Sequence, residues 1–165
     1  EVTFEKHLEY KILKALFKNH VYEEVAYEIY DLQNKNQNIG LGMIGELPVP
    51  MEEKDFLNFV KDKMQADGIR YSTFLGKPIK KVAVLGGSGS FAIKNAIQSG
   101  ANAFLTADLK YHQFYEAENE LILADIGHFE SERYTKNYIV DFLQKKIPNF
   151  AIILSEENTN PVKYL

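Results

Sequence analysis

From Ile79 onward, short apolar runs alternate with amphipathic segments, and this pattern constrains the fold more than any other feature of the chain. Apolar runs of this kind are typical of strands in a sheet that is covered on both faces, and strands joined through helices run parallel. The pattern predicts strands at 81–87, 101–108, 121–126 and 150–155, with helices at 90–100, at 109–119 and after Gly127. The predicted fold class is therefore α/β, with a largely parallel or mixed sheet flanked by helices.

The chain before Ile79 divides into two regions. Residues 1–4 and 21–32 read as strands and residues 7–19 as a helix, which makes a short β-α-β unit. The polar stretch 33–38 then indicates a loop or domain boundary. We therefore predict domains at 1–38 and 39–165. The second domain opens with a strand at 39–47, a helix within 48–64 that has Pro50 near its start, and a strand at 69–75.

Composition excludes several classes of protein. Apolar residues make up 45% and charged residues 25% of the chain, which is typical of a globular protein. The sequence has no cysteine, so disulfides, thiolate zinc sites and cysteine nucleophiles are excluded, and a cytoplasmic location is favoured. No apolar run reaches the roughly 20 residues that span a bilayer, so no membrane partner is expected. The net charge of −4 argues against nucleic acid as a partner.

His128 and Glu132 form the first candidate site. They follow a predicted strand that ends near Asp125, and ligands of open α/β sheets bind beyond the carboxyl ends of strands. The i, i+4 spacing puts both side chains on one helix face, which continues through Thr135 and Ile139 and should turn into the core. A buried carboxylate needs a compensating charge, and imidazole and carboxylate are ordinary ligands for zinc, iron or manganese. Two ligands do not close a site, and capping or packing would explain the pair without metal.

The glycine turn 84–92 forms the second candidate site. Gly87, Gly89 and Ala92 satisfy the G-x-G-x-x-A form of the dinucleotide fingerprint, and Asp108 stands where its ribose-binding acid would be. Backbone N–H groups at this turn, with Ser88 beside them, could hold a phosphate. The alternative is a tight strand-to-helix turn that uses glycine for close packing.

Asp108 and His112 form a third candidate pair, again four residues apart after a predicted strand. One could carry a proton while the other orients it, as acid–base catalysis requires. Asp108 could equally be a helix N-cap, and His112 an ordinary surface or core residue.

Several segments together resemble one known family. "GGSGSF", "LTADLKYHQFYEA", "LADIGHFESE" and "LSEENTNPVKYL" resemble the carboxyl-terminal part of the GTP cyclohydrolase 1 type 2 homologues, interacting-factor-three-like dinuclear-metal proteins. "IGLGMIGELP" resembles the point where the core of that family resumes after an insertion. "HVYEEVAYEIY" resembles the end of a CutA-like or PII-like insert, except that Val21 stands where proline is usual. The first domain would then be part of a small ferredoxin-like insert.

The resemblance implies a two-metal site, with His128 and Glu132 as the ligands that this part of the chain supplies. Histidine and aspartate motifs upstream of residue 1 would supply the others, so the chain is expected to be a fragment of a longer protein. A homo-oligomer, as a toroidal hexamer, is also implied. The leading hypothesis is a divalent-metal-binding, hydrolase-like protein that acts on a nucleotide or another phosphorylated small molecule. The alternatives are a non-catalytic nucleotide-binding module and a regulatory or scaffold oligomer.

Overall fold

The computed structural model describes residues 1–34 and 39–165. The chain divides into two compact units, Glu1–Asn38 and Ile39–Leu165. Part of the polar stretch that was predicted as a boundary, residues 35–38, lies outside the described residues.

The first unit contains the predicted helix but not the predicted strands. A 3₁₀ turn at Lys6–Leu8 leads into helix α1, Glu9–Asn19. Residues 1–4 and 21–32 form no strand, so that prediction is wrong for the structure. A strand needs a hydrogen-bonded neighbour, and the described part of this unit offers none. Of the alternating residues, Tyr27 packs on the helix instead, where its ring meets Phe17 edge to face at 5.5 Å between ring centroids. The ferredoxin-like insert stays a prediction.

The second unit is built on a five-stranded mixed sheet in the order β1-β3-β4-β5-β2. Three neighbouring strands, β3, β4 and β5, run parallel, while the outer strands β1 and β2 are antiparallel to β3 and β5 respectively. The strands are β1 Met43–Met51, β2 Arg70–Tyr71, β3 Ile79–Ser88, β4 Ala103–Ala107 and β5 Ile122–Asp125. The mixed sheet confirms the predicted α/β class.

Helices cover both faces of this sheet. Helix α2, Glu53–Met64, packs on one face, and helix α3, Ile93–Gln98, packs on the other. The remaining helices are α4 His128–Glu132, α5 Thr135–Lys146 and a 3₁₀ helix at Tyr111–Ala117. On one face Phe56 of α2 packs with Val82 and Leu105, and on the other Ile93 of α3 packs with Phe104. Side chains of neighbouring strand positions point to opposite faces, which is why runs such as 121–124 are apolar throughout. Burying Phe56 and Phe104 contributes about 1.5–3 kcal/mol each.

Several predicted elements differ from the observed ones. Pro50 lies in strand β1 rather than at a helix start, and α2 begins at Glu53. Proline is tolerated there because β1 is an edge strand. The predicted strand at 69–75 shortens to two residues, and the predicted helix at 109–119 is a 3₁₀ helix.

The predicted strand at 150–155 does not form. The segment is extended, and Lys136 Nζ of α5 donates a hydrogen bond to the Ser155 carbonyl oxygen at 2.6 Å. The segment thus follows α5 instead of adding to a sheet edge. An apolar run near the carboxyl terminus forms a strand only if it can hydrogen-bond to an unpaired edge of a sheet.

The helix after Gly127 is interrupted. Arg133 and Tyr134 form a turn between α4 and α5, so positions 128 and 132 do not share a continuous face with 135 and 139. The expectation that this face turns into the core is wrong, because Ile139 is half exposed.

Within residues 1–34 and 39–165, no helix has the length and apolar character that crossing a bilayer requires.

Candidate functional site

The parallel strands β4 and β5 bring Asp108 and His128 together. Asp108 directly follows β4, and His128 opens α4 three residues after the last residue of β5. Residues Ala103 to Thr106 of β4 pair in register with residues Ile122 to Asp125 of β5, so both strands end at the same edge of the sheet. Asp108 Oδ2 lies 2.6 Å from His128 Nδ1. Asp108 adopts a left-handed backbone with φ 57°, which aspartate tolerates better than most residues.

Glu132 approaches the other ring nitrogen of His128. One turn further along α4, its Oε2 lies 3.2 Å from His128 Nε2. The two side chains are 52% and 51% exposed, so they face open solvent at the strand ends and not the core. The prediction of an inward-directed carboxylate is therefore wrong in its burial, although the pair does lie at the carboxyl end of the parallel strands.

The two carboxylates control the ionisation of His128. Its hydrogen bond with Asp108 raises the pKa of His128 above the usual 6.5; partial burial acts in the opposite direction, and the charges of Asp108 and Glu132 add to the rise. Protein without metal thus favours an imidazolium between two carboxylates. A cation bound at Nε2 would replace that proton, while Nδ1–H would continue to donate to Asp108.

Asp125 organises the backbone around this pair, and the sequence reading gave it no role. Its side chain is 5% exposed and accepts hydrogen bonds from the Leu109 N–H at 2.9 Å and the Gly127 N–H at 3.1 Å. Arg70 Nη2 also donates to it, and to the Leu109 carbonyl oxygen at 2.9 Å. One carboxylate therefore fixes the turn that holds Asp108 and the turn that precedes His128.

The glycine turn after β3 packs directly on α4. A Cβ on Gly87 would lie 2.4 Å from Glu132 Oε1, and Gly87 has φ +67°. The Gly87 N–H donates to Ser131 Oγ at 2.8 Å, and Ser131 Oγ donates to the His128 carbonyl oxygen at 2.8 Å. Glycine is needed at position 87 because the site's own carboxylate occupies the space of a side chain.

The same contacts bear on the predicted phosphate role of Gly87, Ser88 and Gly89. A Cβ on Gly89 would lie 2.1 Å from Thr106 Oγ1, and Thr106 Oγ1 donates to the Gly87 carbonyl oxygen at 3.1 Å. Ser88 is the last residue of β3. Protein groups thus fill the approach to both glycines, which favours the close-packing alternative, and nucleotide binding at this turn stays a prediction.

The structure does not bring His112 to Asp108. His112 is exposed on the 3₁₀ helix, with its ring edge-on to Tyr111 at 5.2 Å, and it does not line the cleft that contains Asp108. The i, i+4 argument fails here because the segment is a 3₁₀ helix that begins only at Tyr111, after Asp108. Asp108 is no helix cap either, since its carboxylate holds His128.

A cleft of about 1170 Å³ opens beside the pair, and Glu130 is a second buried acid in its lining, besides Asp125. Glu130 is only 4% exposed, and its Oε1 accepts a hydrogen bond from Asn160 Nδ2 at 3.0 Å. Glu130 is not among the residues that the sequence predicts for the site. The only signal was the polar run 155–160, whose partner could not be known before the fold was.

The donor set fits part of a metal site. His128 and Glu132 converge through Nε2 and a carboxylate oxygen, and Asp108 supports the imidazole from behind, as carboxylates do for metal-bound histidines. In the part of the chain that the structure describes, no three His, Asp or Glu side chains converge to hold an ion. The described residues thus offer two ligands of suitable chemistry, and a complete site would need more donors from outside them.

Comparisons with known proteins relate the whole chain to one family. The sequence profile of Duf34/NIF3 (NGG1p interacting factor 3) matches residues 3–161. A Bacillus subtilis (strain 168) protein named GTP cyclohydrolase 1 type 2 homolog is 37% identical over 100% of this chain and 45% of its own length. A Staphylococcus epidermidis protein of the same name is 38% identical over 92% of this chain and 42% of its own length.

Solved structures agree. A crystal structure of a Bacillus cereus protein related to NIF3 superposes with a TM-score of 0.79 and 35% identity, covering 98% of this chain and 46% of that one. A Staphylococcus aureus protein also gives a TM-score of 0.79, with 26% identity over 98% of this chain and 47% of that one. The chain spans less than half the length of the relatives that it matches here.

Proposed function

This chain belongs to the Duf34/NIF3 (NGG1p interacting factor 3) family, and on that premise we propose that it is part of a divalent-metal-dependent, hydrolase-like protein in which His128 and Glu132 are metal ligands. The substrate would be a nucleotide or another phosphorylated small molecule. Zinc, iron or manganese suits an imidazole and a carboxylate.

The geometry of His128 carries this proposal. Its Nε2 lies 3.2 Å from Glu132 Oε2, and its Nδ1 lies 2.6 Å from Asp108 Oδ2. A carboxylate on Nδ1 fixes both the tautomer and the plane of the ring and leaves Nε2 for a cation. We therefore assign Asp108 the role of positioning His128. This role replaces the predicted acid–base pair of Asp108 and His112.

The surrounding residues keep the two ligands convergent. Glu132 is held against the glycine turn, where Gly87 leaves room for its carboxylate. Asp125 ties the Asp108 turn to the turn before His128. Bound divalent ions would polarise substrate oxygens and lower the pKa of water.

The charge of the cleft supports a cation. Six carboxylates line it against three side chains that are always cationic, and an imidazolium at His128 would be a fourth cation, which still leaves the carboxylates in excess. The carboxylates are Asp108, Asp125, Glu130, Glu132, Glu156 and Glu157, and the cations are Arg70, Arg133 and Lys136. Without metal, the net negative charge of this lining repels a phosphate group. A phosphorylated substrate would therefore bind only after divalent ions have made the net charge of the cleft positive.

Elemental analysis of the complete natural polypeptide tests the proposal. His128→Ala and Glu132→Gln should each lose bound metal, whereas His112→Ala should retain it because His112 lies outside the cleft. Equal metal content in all three variants would refute it. The hexamer, the cytoplasmic location and the small-molecule substrate stay predictions.

A further inference from the structure

A second groove lies next to the metal-candidate cleft. It has a volume of about 460 Å³ and runs between segments 70–75 and 111–121. We call it the aromatic groove, because the rings of Tyr71, Tyr111, Phe114 and Tyr115 line it. We propose that the aromatic groove binds the planar heteroaromatic ring of the substrate, a ring of the nucleobase class. This inference deepens the proposed function and rests on it.

The first wall of the groove is Tyr71 of β2. Its ring stacks on Phe74 with centroids 5.0 Å apart and an interplanar angle of 21°, yet Tyr71 remains half exposed. Phe74 thus fixes the plane of Tyr71 and covers one face, while the residue still lines the groove. A ring that is already held in place loses little conformational entropy when a ligand stacks on it.

The second wall is a tyrosine pair on the 3₁₀ helix. Tyr111 and Tyr115 meet edge to face at 5.7 Å, and their hydroxyl oxygens are 2.9 Å apart. Both residues remain about two-thirds exposed. The hydroxyl hydrogen bond orients the two rings without removing them from water, so this wall too is ordered before a ligand arrives.

These exposed rings favour a planar ring as the occupant over an aliphatic chain. Aromatic faces gain energy from offset stacking beyond the area that they bury, and a base stacked on an aromatic side chain contributes about 1–3 kcal/mol. The rim of the groove is polar, with Thr73, Glu118 and Asn119 available for the hydrogen-bonding edge of a heterocycle. Stacking faces with a polar rim match a nucleobase better than a purely apolar group.

Arg70 connects the aromatic groove to the metal-candidate cleft. It lines both spaces, its guanidinium lies 5.6 Å from the centre of the Phe114 ring, and it donates to Asp125. If the base occupies the groove, the sugar and phosphate of the ligand would lie beside Arg70 and extend toward His128 and Glu132 in the cleft. This arrangement places base recognition away from the glycine turn, whose space the protein's own side chains fill.

Nucleoside binding tests this inference without the phosphate. In saturation-transfer NMR with the complete natural polypeptide, guanosine should receive magnetisation at its base proton, and ribose 5-phosphate should receive none without added metal. Tyr115→Leu should weaken guanosine binding by about 5-fold or more, whereas Tyr115→Phe should lose clearly less, because it keeps the ring and gives up only the hydroxyl hydrogen bond to Tyr111. Tyr138→Leu is the matched control, since Tyr138 is an exposed tyrosine on α5 that does not line the groove.

The results that support the aromatic groove differ from those that overturn it. Loss of affinity in Tyr115→Leu and also in Tyr111→Leu, with Tyr138→Leu unchanged, supports the groove. Unchanged affinity in both, or no guanosine binding at all, overturns it. Both tyrosines are largely exposed, so the leucine variants should fold, and circular dichroism confirms that. Metal content measured on the same samples reports separately on the proposed function.

Discussion

Asp108 Oδ2 lies 2.6 Å from His128 Nδ1, on the side of the imidazole opposite the nitrogen that faces Glu132. We predict that Asp108→Asn lowers metal affinity by about 10-fold or more, because an amide supports the basicity of the ligating nitrogen less than a carboxylate does. Asparagine tolerates the left-handed backbone at this position, so the fold should be unaffected. Competition with a chromophoric chelator measures the affinity.

His112→Ala serves as the control for Asp108→Asn. His112 was predicted to act with Asp108, but it does not line the cleft. Its replacement should leave the chelator competition unchanged. An Asp108→Asn protein that holds metal as tightly as wild type would show that the carboxylate has no role in orienting His128.

The sequence was sufficient for the parallel core of the sheet. Continuous apolar runs predicted the strands that became β3, β4 and β5, because strands buried on both faces have no polar side to interrupt the pattern. The predictions for 21–32 and 150–155 failed for the opposite reason. Most of their apolar side chains stay exposed, and strand formation depends on a neighbour that local sequence does not specify.

For the candidate site, the sequence predicted the proximity of His128 and Glu132 but not the contact between Asp108 and His128. His128 and Glu132 meet as i, i+4 spacing predicts. The partner of Asp108 was predicted wrongly, because Asp108 was paired with His112, its i, i+4 neighbour in sequence. The parallel register of β4 and β5 pairs Asp108 with His128, twenty residues away. The predicted burial of His128 and Glu132 was also wrong, because the turn at Arg133–Tyr134 separates α4 from the apolar residues of α5.

Asp125 should be more important for stability than the metal ligands. The carboxylate of Asp125 accepts hydrogen bonds from the Leu109 N–H, the Gly127 N–H and the Arg70 guanidinium. In Asp125→Asn, an amide NH₂ replaces one of the accepting oxygens, so at least one of these donors loses its acceptor. Leaving a buried donor without its acceptor costs about 1–3 kcal/mol, and we expect a loss of that size in the free energy of unfolding. Urea denaturation measures it. Asp141→Asn, an exposed aspartate on α5, should change stability by less than about 0.5 kcal/mol. Equal stability of the two variants would contradict the role of Asp125.

Tyr164 provides a pH-dependent test of the cleft. Burial, followed by the negative charges of Glu130 and Asp125, raises the pKa of Tyr164 above its usual 10.0, while Arg70 lowers it. A raised pKa in the folded state means that the phenol contributes stability that is complete below about pH 10 and is lost as the pH rises through the folded pKa. Glu130→Gln should lower the pKa of Tyr164 but leave it above the usual value, because burial is the larger cause.

NMR titration of the labelled tyrosine ring measures the pKa of Tyr164 directly. Glu157→Gln is the control, since Glu157 also lines the cleft but does not contribute to the shift of Tyr164. Identical titration curves for Tyr164 in Glu130→Gln and wild type would show that the buried carboxylate does not act on it.

Two glycines with nearly the same φ angle offer the sharpest test of how Glu132 is positioned. Gly87 has φ +67° and Gly76 has φ +68°, but a Cβ on Gly87 would lie 2.4 Å from Glu132 Oε1, whereas one on Gly76 would meet nothing within 4 Å. Alanine at either position should cost about 1–2 kcal/mol for the left-handed backbone, seen as a lower thermal midpoint. Only Gly87→Ala should also push the Glu132 carboxylate away from His128 and reduce metal affinity in the chelator competition. If both variants bind metal equally, the space at Gly87 does not control the ligand. If Gly87→Ala loses metal while its thermal midpoint matches that of Gly76→Ala, the loss arises from displacement of Glu132 and not from general destabilisation.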